Sequence, residues 1–169
     1  MPKAMRAYIR FADSISHYSG LFAMYLVFVL LLILLYASVM KVFFLPLNWG
    51  VETAQFVMVS YYLLGGAWAL RHDEHVRMDL LYGGWTVKRK AKVNLFTDCA
   101  MIFFLCMLLF GGIASSIYAI ETGERSFSAW RPYVAPVKIV MCIGILLTLI
   151  QAVAILFKDW ATIRGEAVS

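Results

Sequence analysis

Apolar residues run almost unbroken through four stretches, from about Ser19 to Met40, Thr53 to Leu70, Leu95 to Ile120 and Val137 to Phe157, and charged residues gather between them. A bilayer's hydrocarbon core is roughly 30 Å thick and a helix rises about 1.5 Å per residue, so about 20 apolar residues make one crossing. Each stretch must be helical, because an open strand would leave its backbone unpaired in lipid. The pattern predicts an all-α integral membrane protein with four transmembrane helices. It forms a single four-span domain over residues 1–169, with a connection at 71–94 on one side and a loop at 121–136 on the other.

Composition sharpens this picture. At 63% hydrophobic and 15% charged residues, with mean hydropathy +0.80, the chain lies far from ordinary soluble domains. Lys3, Arg6 and Arg10 precede the first stretch as they would in a secretory signal. The apolar run is too long for a signal core of about 7 to 15 residues, and no clear cleavage site follows, so it reads as a retained span. Cys99, Cys106 and Cys142 all fall in spans, an odd number that argues against a disulfide framework. Buried cysteines of this kind are expected to act as small hydrophobes.

Charge then sets orientation. Of the 15 Lys and Arg residues, eleven lie in the N-terminal segment, the central connection and the C-terminal tail. The other side holds only Lys41, Arg125, Arg131 and Lys138. By the positive-inside rule both termini are expected in the cytoplasm. The net charge of +5 then reflects topology and anionic lipid, not nucleic acid. Trp49, Trp68, Trp85, Trp130 and Trp160 all lie near span ends or in connections, where an indole keeps its N–H wet.

An ionisable residue deep in a span is a functional candidate by default. Asp98 lies about one turn inside the third span, and Glu52 and Glu121 sit at span ends. Asp98 is read as one half of an intramembrane ion pair, with Arg71 or Lys92 as partner, ahead of a proton- or ion-coupling role. His17, His72 and His75 lie outside the four stretches, which disfavours a haem held between spans. No nucleophile elbow, zinc-protease helix, phosphate loop or paired-cysteine spacing occurs, so no catalytic, cofactor or metal site is expected. Small residues do cluster: Gly65, Gly66, Ala67 and Ala69 in the second span, Gly111, Gly112, Ala114, Ser115 and Ser116 in the third, and Gly144 in the fourth. They suit close helix packing, within the bundle or against another membrane protein.

The central connection divides at Gly83-Gly84 into mixed-sign RHDEHVRMD and basic KRKAK. Met78, Leu81, Tyr82 and Trp85 recur at helical spacing, which predicts an interfacial amphipathic segment. If Thr86 caps the helix entering the third span, Lys88, Arg89 and Lys90 occupy its first turn, where the macrodipole disfavours cations. Contact with anionic headgroups, worth about 1 kcal/mol per basic residue, offsets that cost. Lys88, Arg89, Lys90 and Lys92 therefore read as a lipid-facing anchor.

The succession GGAWAL, RHDE, HVRMDLLY, a short basic segment and a third span resembles the small membrane subunit, of DctQ type, of TRAP (tripartite ATP-independent periplasmic) transporters. HVRMDL is the specific element, and ERSFSAWRPYVAPVKIVMCIGILLTLIQ looks like the branch whose fourth span opens W-x-P-x-x-x-P-V-K. The resemblance implies a non-catalytic subunit with no cofactor. Its partners would be a large DctM-type membrane subunit that carries the substrate and sodium sites and a DctP-type periplasmic solute-binding protein that delivers carboxylates. Arg71, His75, Arg77 and Asp79 match the family's central motif and would fasten the cytoplasmic connection or touch lipid or the large subunit. Arg125, Trp130 and Arg131, in the loop on the other side, are candidates for periplasmic partner contact. Two rival classes are a membrane anchor of a respiratory enzyme, which would want histidines in its spans, and a small homodimeric multidrug-type exporter, which would want a deeper acid than Asp98.

Overall fold

The computed structural model describes residues 3–45, 47–71 and 87–164. Four helices make up these segments: α1 Lys3–Phe43, α2 Gly50–Arg71, α3 Val87–Glu121 and α4 Ala135–Arg164. Among the described residues there is no strand, only an isolated bridge between Arg125 and Tyr133. The expected amphipathic segment around Met78 to Trp85, and the Thr86 cap, lie outside the described residues.

The first helix departs from expectation. Lys3, Arg6 and Arg10 do not form a separate leader to a span beginning near Ser19; they belong to one helix of 41 residues. No glycine or proline interrupts the chain between Lys3 and Gly20, and Ala, Met and Arg there favour helix. At about 1.5 Å per residue α1 is roughly 60 Å long, about twice the hydrocarbon depth. It also takes in His17, which the sequence reading put before the span.

Among the described residues three helices are long and apolar enough to cross a membrane, over Met5–Phe43, Val93–Glu121 and Ala135–Ala161. The 22 residues of α2 suffice in length at roughly 33 Å, but Glu52, Gln55, Ser60, Tyr61 and Tyr62 dilute its apolar character. Two of these, Gln55 and Tyr62, stay exposed on α2. It packs against both α1 and α4, burying Ala54, Leu64, Ala67 and Leu70, and Ser60 Oγ donates to the Phe56 carbonyl 2.8 Å away.

α1, α2 and α4 pack on one another, whereas α3 rests chiefly on α4. α1 runs antiparallel to α2: Gly65 faces Ala23, and Gly20 lies under the Trp68 ring so closely that a Cβ there would overlap it. α2 and α4 run parallel, in contact at Leu63 with Gly144 and at Gly66 with Thr148. A Cβ at Gly144 would stand 2.7 Å from Leu63 Cβ and 2.9 Å from its backbone carbon, so the missing side chain sets the helix separation. Leu105, Ile145 and Ala152 form the α3–α4 seam with Met101 and Leu149. The α1–α4 seam is Ile9, Ala12 and Ala154, flanked by Tyr8, Ile150 and Phe157. Most of the small residues thus serve the bundle, but Gly111 and Ala114 are exposed on α3: Gly111 has nothing within 4 Å, while Gly112 beside it meets Cys142 Sγ.

Candidate functional site

The densest polar constellation among the described residues lies where α1, α2 and α4 meet, at the end holding both helix termini Lys3 and Arg164. Asp13 is its centre. Gln151 Nε2 donates to Asp13 Oδ1 at 3.0 Å, and Lys158 Nζ lies 3.1 Å from Oδ1 and 3.0 Å from Oδ2. Arg71 Nη1 donates to the Asp13 main-chain carbonyl at 2.9 Å, and Tyr8 Oη donates to the Ile150 carbonyl at 3.2 Å. One acidic residue of α1 is therefore engaged by α4 through its side chain and by α2 through its backbone. Gln151 and Ser16, both 1% exposed, are the largest fully enclosed side chains.

The helical repeat explains the convergence. Ile9, Ala12, Asp13 and Ser16 recur at the three- and four-residue spacing that lines one face of α1. Gln151, Ala154 and Lys158 do so on α4. Small Ala12 and Ala154, almost wholly enclosed, let the axes approach until the polar groups meet. The chemistry available is fastening: charge-assisted hydrogen bonds across helices, with no nucleophile and general base aligned.

Sequence reading had singled out Arg71 here but not Asp13, Gln151 or Lys158. A signal existed in Gln151, a primary amide amid the fourth apolar stretch. Such a group at membrane depth seeks an interhelical hydrogen bond. Asp13 was hidden because it seemed to precede the span.

Of the other expected site residues, His75, Arg77 and Asp79 lie outside the described residues. Lys88, Arg89, Lys90 and Lys92 fall in the first turns of α3, where only the backbone course is described. Asp98 is 6% exposed and is engaged by a neighbouring group. It shares the α3 face of Met101 and Leu105, which packs on α4. Cys99 and Cys106, expected to be buried, are exposed on α3, while half-buried Cys142 lies 3.4 Å from Ser116 Oγ. The reason is that α3 has one principal neighbour, so most of its circumference faces outward.

The loop between α3 and α4 is built as a closed clasp. Val134 N–H donates to the Glu124 carbonyl at 3.1 Å and Ser126 N–H to the Pro132 carbonyl at 3.0 Å. Lys138 pairs with Glu124, and the Arg125 guanidinium donates to Tyr133 Oη while lying over its ring. Ser126 Oγ donates to Glu52 Oε1 at 3.1 Å, tying the clasp to the start of α2. The candidates Arg125, Trp130 and Arg131 thus sit on a shaped loop, with Trp130 47% exposed. Arg131 adopts φ +50° and its N–H donates to Ser128 Oγ. Among the described residues no cluster of His, Cys, Asp and Glu could hold a metal ion.

The family model described as "Tripartite ATP-independent periplasmic transporters, DctQ component" matches residues 30–162. No curated protein and no solved structure matches the chain.

Proposed function

The chain belongs to the DctQ family of TRAP transporter components, and from that premise we propose that it is the small scaffold subunit of a sodium-driven importer of carboxylates. It has no chemistry of its own to perform. A large DctM-type subunit carries the substrate and sodium sites and moves its transport domain as an elevator. This chain broadens the static part against which that domain slides. A DctP-type binding protein delivers the substrate from the periplasm.

In this reading α2 is the fourth crossing, since it packs between α1 and α4, the Ser60 hydroxyl is satisfied within the helix and Glu52 accepts from Ser126 at its start. Both termini lie in the bacterial cytoplasm, in line with eleven of the 15 basic residues. The segment 71–94, with Arg71, His75, Arg77 and Asp79, is the cytoplasmic connection, and its basic run Lys88, Arg89, Lys90 and Lys92 rests on anionic headgroups. The loop 121–136 faces the periplasm and offers Arg125, Trp130 and Arg131 to a partner. Asp98 has a structural role.

One observation carries the scaffold reading beyond family membership: among the described residues the face of α3 turned away from α4 has no protein neighbour, and a groove runs along its edge. Along its edge with α4, Phe104, Met107, Leu108, Gly111 and Ser115, together with Gly112 and Met141 of the seam, line an apolar depression of about 370 Å³. A helix of the large subunit fits such a surface, because small residues admit close backbone approach.

Affinity capture decides the matter. The tagged chain, co-expressed with the membrane protein encoded beside it, is expected to copurify in detergent as a stable complex with a protein of about a dozen spans. Reconstituted alone it should transport nothing. Recovery of only a self-oligomer would overturn the reading.

A further inference from the structure

We propose that the seam between α1 and α2, at the end holding the termini, is a specific site for one anionic glycerophospholipid. Its phosphate would sit on Arg10 and Arg71 and an acyl chain would lie along the apolar groove beneath.

Two adjoining cavities carry the inference. One, of about 440 Å³, is polar and lined by Arg10, Asp13, His17 and Arg71. The other, of about 390 Å³, is apolar and runs along α1 past Gly20, Met24 and Val27 against Gly65 and Trp68 of α2. His17 lines both, so the charged mouth opens onto the greasy groove. That polarity order is the order of a phospholipid.

The charges select the headgroup. Asp13, the carboxylate lining the mouth, has both oxygens within 3.1 Å of Lys158 Nζ. Arg10 and Arg71 then remain as cations at the opening. Arg71 spends one nitrogen on the Asp13 carbonyl and is held in place by it. The rest of its guanidinium is a preset fork suited to a phosphate. Basic pockets between transmembrane helices at the cytoplasmic side recognise anionic headgroups in this way.

Depth is consistent as well. Tyr18, 70% exposed, and Trp68 stand at the boundary between mouth and groove, the level at which amphipathic rings collect in a membrane interface. Gly65 leaves room in the groove, since the nearest atom to an added Cβ is Ala23 Cβ, 3.7 Å away, while Gly20 lets the Trp68 ring close its upper end. The seven helical steps from Gly20 to Val27 span about 10 Å, the upper part of an acyl chain's path into the core.

The site stands apart from the transporter reading, because binding is measured on this chain alone. The full-length chain, stripped of lipid in mild detergent, is titrated with phosphatidylglycerol, with phosphatidylethanolamine of the same acyl chains, and with glycerol phosphate, and read by native mass spectrometry. One phosphatidylglycerol should be retained in preference to phosphatidylethanolamine, and glycerol phosphate should not displace it. Arg10→Gln should weaken phosphatidylglycerol about fivefold and phosphatidylethanolamine, whose phosphate is offset by its own ammonium, by less, so that the preference between them narrows. Met24→Trp, which fills the groove from its open side, should weaken both lipids, with an unaltered elution volume showing that the fold persists. A photo-cross-linker at position 24 of the purified complex should label lipid. Equal binding of the two lipids, displacement by glycerol phosphate, indifference to both substitutions, or labelling of the large subunit or of residues 72–86 would each overturn the proposal.

Discussion

Lys158 Nζ meets both carboxylate oxygens of Asp13, at 3.1 and 3.0 Å, across 145 positions of sequence. The pair fastens the last turns of α4 to the first turns of α1 at a depth where each side chain keeps about a quarter of its surface exposed. Water therefore screens it in part. It is worth more than a surface pair and less than a fully enclosed one.

Lys158→Met should lower the stability of the detergent-solubilised chain by roughly 1–2 kcal/mol, because Asp13 keeps Gln151 but loses its cation. Asp13→Asn should cost a similar amount. The double variant should cost less than the two singles added together. Thermal unfolding followed by circular dichroism gives this cycle, and strict additivity would show that the pair contributes nothing as a pair.

Gly144→Ala should destabilise by about 1–3 kcal/mol, since the added methyl would press on the Leu63 backbone, which cannot rotate away. Gly111→Ala should change stability by no more than about 0.5 kcal/mol, because nothing stands within 4 Å of it. Gly111→Leu separates the two environments functionally. The isolated chain should melt as before while capture of the large subunit falls, and unchanged capture would remove α3 from the interface.

These two glycines show where sequence reading reaches its limit. That small residues cluster in the third and fourth spans was legible, as were the four helices and the clasp's prolines. Which of two neighbours, Gly111 or Gly112, faces α4 was not, because adjacent helical positions differ by about 100° and both flanks are equally apolar. The Asp13–Gln151–Lys158 site was missed for a related reason. Hydropathy finds where a chain enters lipid, but a helix that begins well before that point gathers its polar contacts in the part read as a flank.

Arg131→Gly should leave stability unchanged or raise it by up to about 1 kcal/mol, since φ +50° is costly for a side-chain-bearing residue and free for glycine. Arg131→Val should lower it, as a β-branched residue tolerates that conformation worst. Should the arginine serve a periplasmic partner, uptake dependent on the binding protein will fall in Arg131→Gly even though the melting temperature holds.

Asp98→Asn in the assembled transporter should preserve sodium-dependent uptake, because the residue lies on the α3 face packed against α4. Uptake of labelled substrate driven by an inward sodium gradient gives the readout. Abolished coupling with intact assembly would make Asp98 part of the ion pathway.

The length of α1 acquires a mechanical meaning from where it is held. Near one end it is fixed at Asp13, and toward the other Gly50 lets α2 come so close that a Cβ there would stand 2.9 Å from Ala37, with Tyr36 and Trp49 rings 6.2 Å apart beside it. These two anchorages are about 36 Å apart along the axis. Over such a baseline, 1 Å of slack at either end changes the inclination of the rod by less than about 2°. In the scaffold reading proposed above, a rod held at two such points gives the large subunit's moving domain an unyielding surface to push against.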